Sequence, residues 1–144
     1  MDYEICEVDG QLNADILREL SANVPEWPLL EHRHLKDGYW WIALGDDADD
    51  PVAFAGLVPM TPFNGYGYFK RSFVSPLHRG RGIQFRLIMA IELKCRQLGW
   101  THIVAECEFD NESSIRNLRR AGFDQTNPEQ RWGVQPALYW LKAL

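Results

Sequence analysis

Three things are scarce in this chain of 144 residues, and each scarcity excludes something. Cysteine occurs three times, at Cys6, Cys95 and Cys107. The three are scattered, odd in number and without Cys-x-x-Cys spacing, so they are expected to be reduced thiols packed as small apolar residues. Long apolar runs are missing, and nothing approaches the roughly 18 residues that span a bilayer. Positive charge is in deficit. A formal net charge of −5 repels a nucleic-acid backbone and an anionic membrane, so neither is an expected partner. The same charge suits a cationic acceptor such as an amine. The first residues, Met1 to Cys6, carry no basic stretch leading into an apolar run, so a cytoplasmic location is the expectation.

What remains is an ordinary globular composition. Apolar residues make up 46% and charged residues 24%, which is enough to build one full core, and a single domain over residues 1–144 is expected. Aromatic residues are plentiful, with six Trp, five Tyr and seven Phe. Core packing accounts for most of them, and some are expected to line a groove.

Tyr3 to Val8 reads as a first strand. Gln11 to Ala22 places Leu12, Ile16, Leu17 and Leu20 at helical spacing. Pro25 and Pro28 interrupt it, and a short helix between Trp27 and Lys36 would turn Leu29, Leu30 and Leu35 inward. Strands are predicted over Tyr39 to Leu44, Val52 to Val58 and Tyr66 to Val74. An acidic hairpin loop with Asp46, Asp47, Asp49 and Asp50 joins the first two. Ile83 to Leu98 carries one apolar stripe, and Gly99 stands where a helix-terminating glycine belongs. Trp100 to Cys107 is a buried strand. Asn111 reads as the N-cap of a helix that Gly122 closes. Strands from Phe123 and over Ala137 to Leu141 end the chain. The order is β-α-α-β-β-β-α-β-α-β-β, with antiparallel strands first and then a β-α-β unit with parallel neighbours.

One stretch organises the rest: Phe73-Val-Ser-Pro-Leu-His-Arg-Gly-Arg-Gly-Ile-Gln84. A strand stops at Pro76, a basic glycine-containing turn follows, and a helix begins. A helix N-terminus offers unpaired N–H donors and the positive end of the macrodipole. Gly80 and Gly82 let the backbone approach a ligand, and Arg79 and Arg81 add charge. The turn is therefore expected to hold a phosphate or pyrophosphate.

This order, with Val74-x-Pro76 ahead of Arg79-Gly-Arg-Gly82-Ile83-Gln84, resembles the GCN5-related N-acetyltransferase (GNAT) superfamily, whose acetyl-CoA motif is Arg/Gln-x-x-Gly-x-Gly/Ala. Arg79 and Gly82 match, and Gln84 departs from the final small residue. A second block, Asn111-Glu-Ser-Ser114 through Gly122-Phe123, is similar to the family's Asn-x-x-Ala/Ser segment ending in Gly-Phe. The resemblance covers roughly Tyr66 to Phe123. It implies an α/β fold of mixed α+β character, with a central, mostly antiparallel twisted sheet of about six to seven strands and helices on both faces. It also implies acetyl-CoA as co-substrate, with Phe73, Val74, Arg79, Gly80, Arg81, Gly82, Ile83, Gln84, Asn111 and Ser114 as its binding residues and no metal. In the family the strand before the turn splays from its neighbour and the pantetheine arm enters the gap. Here that would aim the Val74 N–H at the thioester oxygen, where charge develops in the tetrahedral intermediate. The Gln84 side chain either crowds the pyrophosphate or points to solvent.

Transfer to an amine needs the free base, and a carboxylate can take the proton. Glu106 is the first candidate, since some protein N-terminal acetyltransferases of the family carry glutamate there; Glu108 shares its strand parity. The family's acidic Tyr would fall at Leu118, which has no proton to give. Members resembling the ribosomal-protein acetyltransferases often read Ser-x-x-x-Leu there, as Ser114 to Leu118 does. Tyr66, Tyr68 and Tyr139 are alternative donors. Lys70 and Arg71 occupy a region where many relatives place an acid, which puts more weight on Glu106. The acceptor pocket is expected from residues 27–36, 59–65 and 127–135, with His32, His34, Trp27, Trp40 and Trp41 as candidates for its walls. The acceptor is either a small-molecule or a peptide amine, and a homodimer is left open. Two other functions stay in view. One is a non-catalytic acyl-CoA-binding or protein-interaction module, favoured by Leu118 and Gln84. The other is a tRNA-directed acetyltransferase, disfavoured by the acidic charge.

Overall fold

The computed structural model describes residues 2–46, 50–60, 63–128 and 137–144. Seven strands form one sheet: β1 (Tyr3–Val8), β2 (Tyr39–Gly45), β3 (Ala53–Pro59), β4 (Tyr66–Val74), β5 (His102–Cys107), β6 (Asp124–Thr126) and β7 (Leu138–Ala143). Four helices accompany them: α1 (Ala14–Ser21), α2 (His32–Asp37), α3 (Ile83–Gln97) and α4 (Glu112–Arg120). The spatial order is β1-β2-β3-β4-β5-β7-β6, and β4 with β5 is the one parallel pair in it. Among the described residues no helix is long and apolar enough to cross a membrane.

Alternation along the strands sorts the core into two layers. One face of the sheet, with Trp41, Ala43, Ala55, Leu57, Phe69, Ile103 and Trp140, packs on α3 and α4. Helix α3 supplies Ile83, Leu87, Ile88, Ile91 and Cys95, all at most 2% exposed. Each such aliphatic side chain contributes roughly 1.5–3 kcal/mol on burial. The opposite face, with Trp40, Ile42, Phe54, Val58 and Phe73, packs on Leu17 and Leu20 of α1 and Leu35 of α2.

Differences from the sequence reading sit at element ends. Helix α1 starts at Ala14 because the Asp9 carboxylate accepts from the N–H groups of Gln11 and Leu12, holding a turn there. Leu12 is consequently exposed, as is Leu29, whereas Leu30 and Leu35 are buried as expected. The predicted α2 contracts to His32–Asp37. Gly99 and Gly122 both adopt left-handed φ after their helices, as helix-terminating glycines do. The expected acidic loop lies partly outside the described residues, at 47–49, as does 129–135 of the expected acceptor loop.

Candidate active site

The sheet opens in its middle. Strand β4 pairs with β5 only where Tyr66–Tyr68 face His102–Val104. Beyond Tyr68, β4 stays with β3 as far as Val74, while β5 stays with β7 as far as Cys107. The two strands therefore diverge above Tyr68. A β-bulge sharpens the divergence: β3 pairs Ala55 with Ser72 and Gly56 with Lys70, leaving Arg71 as the extra residue. Arg71 has φ of 51°, a left-handed backbone that costs a non-glycine residue roughly 1–2 kcal/mol.

At the wide end of the opening lies the glycine turn. Residues Pro76–His78 form one 3-10 turn, Gly80 and Gly82 have φ of 76° and 79°, and α3 starts at Ile83. No side chain caps this helix. The first intrahelical bond runs from the Arg86 N–H to the Gly82 carbonyl, so the N–H groups of the first turn precede any intrahelical acceptor. A Cβ at Gly80 or Gly82 would meet no described atom within 4 Å, so the glycines answer to backbone conformation rather than to crowding. Both arginines lean sideways. Arg79 Nε donates to the Val74 carbonyl at 2.9 Å, and Arg81 Nη1 donates to Tyr3 Oη at 3.1 Å. Backbone donors are left facing forward in a basic rim, which suits a pyrophosphate.

Val74 keeps its backbone polar groups off β3, and its carbonyl accepts from Arg79. The Ser75 N–H donates to Val52 on the β3 side, so the alternation of an antiparallel ladder turns the N–H and C=O of Val74 away from β3. Phe73 behaves differently. Its side chain is buried in the α1–α2 layer and its backbone faces β3, so it supports the opening from behind.

Gln84 takes neither of the orientations foreseen for it. Its side chain turns inward and bridges α3, α4 and β4. Nε2 donates to Ser114 Oγ at 3.0 Å and, more weakly, to Ser72 Oγ at 3.4 Å; Oε1 accepts from Asn117 at 2.7 Å. Asn111 is the predicted N-cap, its Oδ1 accepting from the Ser114 N–H at 3.1 Å. Asn111 and Ser114 thus form the start of α4, with Ser114 against Gln84. Leu118 is buried in the core beside α3 and offers no proton donor.

At the narrow end stands Glu106, half-buried near the end of β5. The Tyr68 hydroxyl donates to its carboxylate across the diverging strands. Burial, followed by the adjacent Glu106 charge, pushes the Tyr68 phenol far above its ordinary value near 10. Tyr139 pairs with Glu106 in the β5–β7 register and is buried. Tyr66 instead stacks on His102 with ring centroids 4.3 Å apart. Glu108 falls beyond the end of β5, exposed in the turn before α4, so strand parity does not carry it to the site.

Lys70, Arg71, His34 and Trp27 gather on the same side of the sheet as Glu106. Lys70 Nζ lies 5.8 Å from the centre of the Tyr68 ring. Arg71 donates to Ser21 Oγ at 2.7 Å and stands 5.5 Å from the Trp27 ring. Trp40 and Trp41 are both buried, on opposite faces of the sheet, and cannot wall one pocket with Trp27. His32 and His34 have no joint metal partners: among the described residues, no group of three or more His, Cys, Asp or Glu is placed to hold a metal ion. Nothing in the spacing of residues 66–74 marked Arg71 as a bulge, because the side chain is neither glycine nor asparagine. The Tyr68–Glu106 contact spans 38 positions and left no local signal.

Known proteins share the fold. An IAA acetyltransferase from Azospirillum brasilense is 32% identical over 91 residues, which is 63% of this chain and 60% of that protein. The chain thus matches less than two thirds of that relative's length. A structure of yncA from Salmonella typhimurium with its cofactor acetyl-CoA superposes with a TM-score of 0.76 at 17% identity, covering 99% of this chain and 94% of the other. The NatC complex bound to Gag peptide and CoA contains a chain with a TM-score of 0.80 at 17% identity, covering 100% and 99%. At such identities the two structures establish the fold alone. The model of the acetyltransferase (GNAT) family matches residues 11–123, a span that holds the glycine turn, the opening between β4 and β5, and Glu106, so the chain belongs to the GNAT acetyltransferase family.

Proposed function

We propose that this protein is an acetyl-CoA-dependent N-acetyltransferase that moves the acetyl group to a primary amine by direct attack on the thioester. The observation that carries the reading is the opening above Tyr68, with an anion-binding turn at one end and Glu106 at the other. Residues 1–144 are taken as one acetyltransferase domain acting in the cytoplasm. The relatives solved with acetyl-CoA and with CoA support the choice of co-substrate.

In this reading the pyrophosphate rests on the N–H groups of Arg79 to Gln84, between Arg79 and Arg81. Gly80 and Gly82 give the turn its shape, and Ile83 anchors the helix start in the core. Pantetheine follows the open edge of β4 past Val74, with Asn111, Ser114 and Gln84 along the other wall. Phe73 supports that edge from below.

Glu106 takes a proton from the substrate ammonium, directly or through one water. The freed lone pair forms the C–N bond at the thioester carbon. Negative charge collects on the former carbonyl oxygen, facing the Val74 N–H. The C–S bond breaks, the thiolate leaves with CoA, and the second nitrogen proton passes to it. A CoA thiol has a proton affinity near that of cysteine, about 8.5. Tyr68, whose own value lies far above that, would give it a proton only uphill. Tyr68 is therefore a positioning residue for Glu106, and no separate acid is needed in place of Leu118.

The test is incubation with acetyl-CoA and a panel of small and peptide amines while free thiol is followed. Amine-dependent release is the expected result. CoA binding without release from any amine would favour a non-catalytic acyl-CoA-binding module, the reading that the buried Leu118 supports.

A further inference from the structure

Two cations stand side by side where a regular strand would separate them. Consecutive residues of a β-strand point to opposite faces. At the Arg71 bulge this rule is broken, and both Lys70 and Arg71 reach the face that carries Glu106, α1 and α2. The backbone is strained to achieve it, since Arg71 sits at φ of 51°. Neither cation has an ion-paired carboxylate among the described residues. The ion pairs among the described residues join Arg33 to Glu31, Lys94 to Glu7 and Lys142 to Glu92. Glu31 is the other acid near Lys70, and Arg33 already holds it at 2.6 Å. Glu106 is engaged by Tyr68. His34, the remaining titratable neighbour from α2, has its pKa lowered by burial and then by the Lys70 charge.

Half-buried like charges on adjacent residues are costly unless an anion meets them. Burial, and then the Arg71 charge, loosens the proton on Lys70, the direction expected of a cation that lacks its counter-ion. Ser21 and Trp27, which hold the Arg71 guanidinium, also line a cavity of about 230 Å³ between α1 and the segment that follows it. We propose that the acceptor is a primary amine that also bears a carboxylate, with Lys70 and Arg71 binding that carboxylate while Glu106 faces the amine. This rests on the acetyltransferase reading and adds the class of acceptor to it. The acidic surface attracts the ammonium end, and the two cations fix the other end.

The test compares acids with their own carboxamides. Phenylalanine, alanine and β-alanine are each offered beside the matching amide, with acetyl-CoA, and thiol release is followed. A dipeptide amide pair, Ala-Asp against Ala-Asn, distinguishes an acidic peptide from a free amino acid as the source of the carboxylate. The amide's amine is the weaker base, and so more of it is free at neutral pH, which biases the comparison against the proposal. The expected result is a kcat/KM at least about ten-fold higher for the acid in one series, the scale of one charge-assisted contact. Lys70→Gln and Arg71→Gln should each bring that ratio toward one, with CoA affinity unchanged. Binding of N-acetylphenylalanine and of its amide to the CoA-saturated protein is measured alongside. A preference for the acid in binding, with no thiol release from any amine, upholds the anion subsite and removes the enzyme reading. Equal turnover and equal binding of acid and amide, or a preference that both substitutions leave intact, overturns the subsite and leaves the enzyme reading standing.

Discussion

The hydroxyl of Tyr68 donates to the carboxylate of Glu106 across two strands that part company at that point. The contact joins the last paired position of β4 to the unpaired end of the opening. It fixes the Glu106 carboxylate where the two strands diverge.

Glu106→Gln keeps the shape of the side chain and an oxygen for Tyr68, and removes the ability to take a proton. General-base assistance contributes on the order of 10²–10⁴ in rate. The expected outcome at pH 7.5 is a kcat lower by about 100-fold or more. CoA affinity should stay within about two-fold, because the pyrophosphate turn lies at the other end of the opening. Steady-state thiol release and calorimetric titration with CoA measure the two quantities. An unchanged kcat removes Glu106 as base.

Tyr68→Phe separates positioning from acid catalysis. A lost hydrogen bond to a charged group costs about 1.5–3 kcal/mol, and part of that is recovered by water at a half-buried carboxylate. A fall in kcat/KM of roughly ten-fold is therefore expected. In a Glu106→Gln background the same change should have almost no effect, since two residues acting through one carboxylate are not additive. A full loss of rate in both backgrounds would instead make Tyr68 an acid in its own right.

Gln84→Ala restores the small residue usual at the end of the family's motif. The structure makes this costly. The Gln84 amide serves Ser114, Asn117 and Ser72, and Ser114 is buried. Leaving these partners unsatisfied should lower stability by about 1–3 kcal/mol in urea unfolding. CoA affinity should change little, because the side chain points away from the turn. A variant as stable as the parent would show that the bridge contributes nothing.

These cases also show what could be read from the chain. The strand and helix order, the glycine turn and the Asn111 cap were legible because each depends on residues within a few positions of one another. The proposed cofactor half of the site is of that kind. The proposed proton-transfer half is assembled across the sheet, from Tyr68 on one strand and Glu106 on another, and only tertiary pairing brings Tyr68 rather than Tyr66 to the Glu106 carboxylate. Gln84 was visible as an irregularity, but its inward turn depends on Asn117 from a different helix. Lys70 and Arg71 looked like the loss of an acid. Their convergence on one face comes from a bulge that the residue types do not signal.

His34 gives the fold a dependence on pH that can be signed in advance. Its Nδ1 is buried without a hydrogen-bond partner among the described residues. Burial first, then the charges of Lys70 and Arg33, hold its pKa below the ordinary 6.5. In the unfolded chain the imidazole returns to that ordinary value. Between the lowered folded value and 6.5, the unfolded state thus binds a proton that the folded state refuses. Stability rises with pH wherever the unfolded state binds more protons. The contribution is accordingly complete above about 6.5 and is lost as pH falls toward the folded value, below which it changes no further. His34→Asn carries no titrating group, and it leaves intact the His34 backbone carbonyl that accepts from Trp40 Nε1. Carboxylates other than Glu31, which is coupled to His34, titrate alike in the two proteins and cancel in the difference. Urea unfolding of both proteins from pH 7.5 to pH 5 should show the parent losing stability relative to the variant as pH falls. A difference that is flat with pH, or that moves the other way, would mean that the histidine is solvated and takes its proton freely.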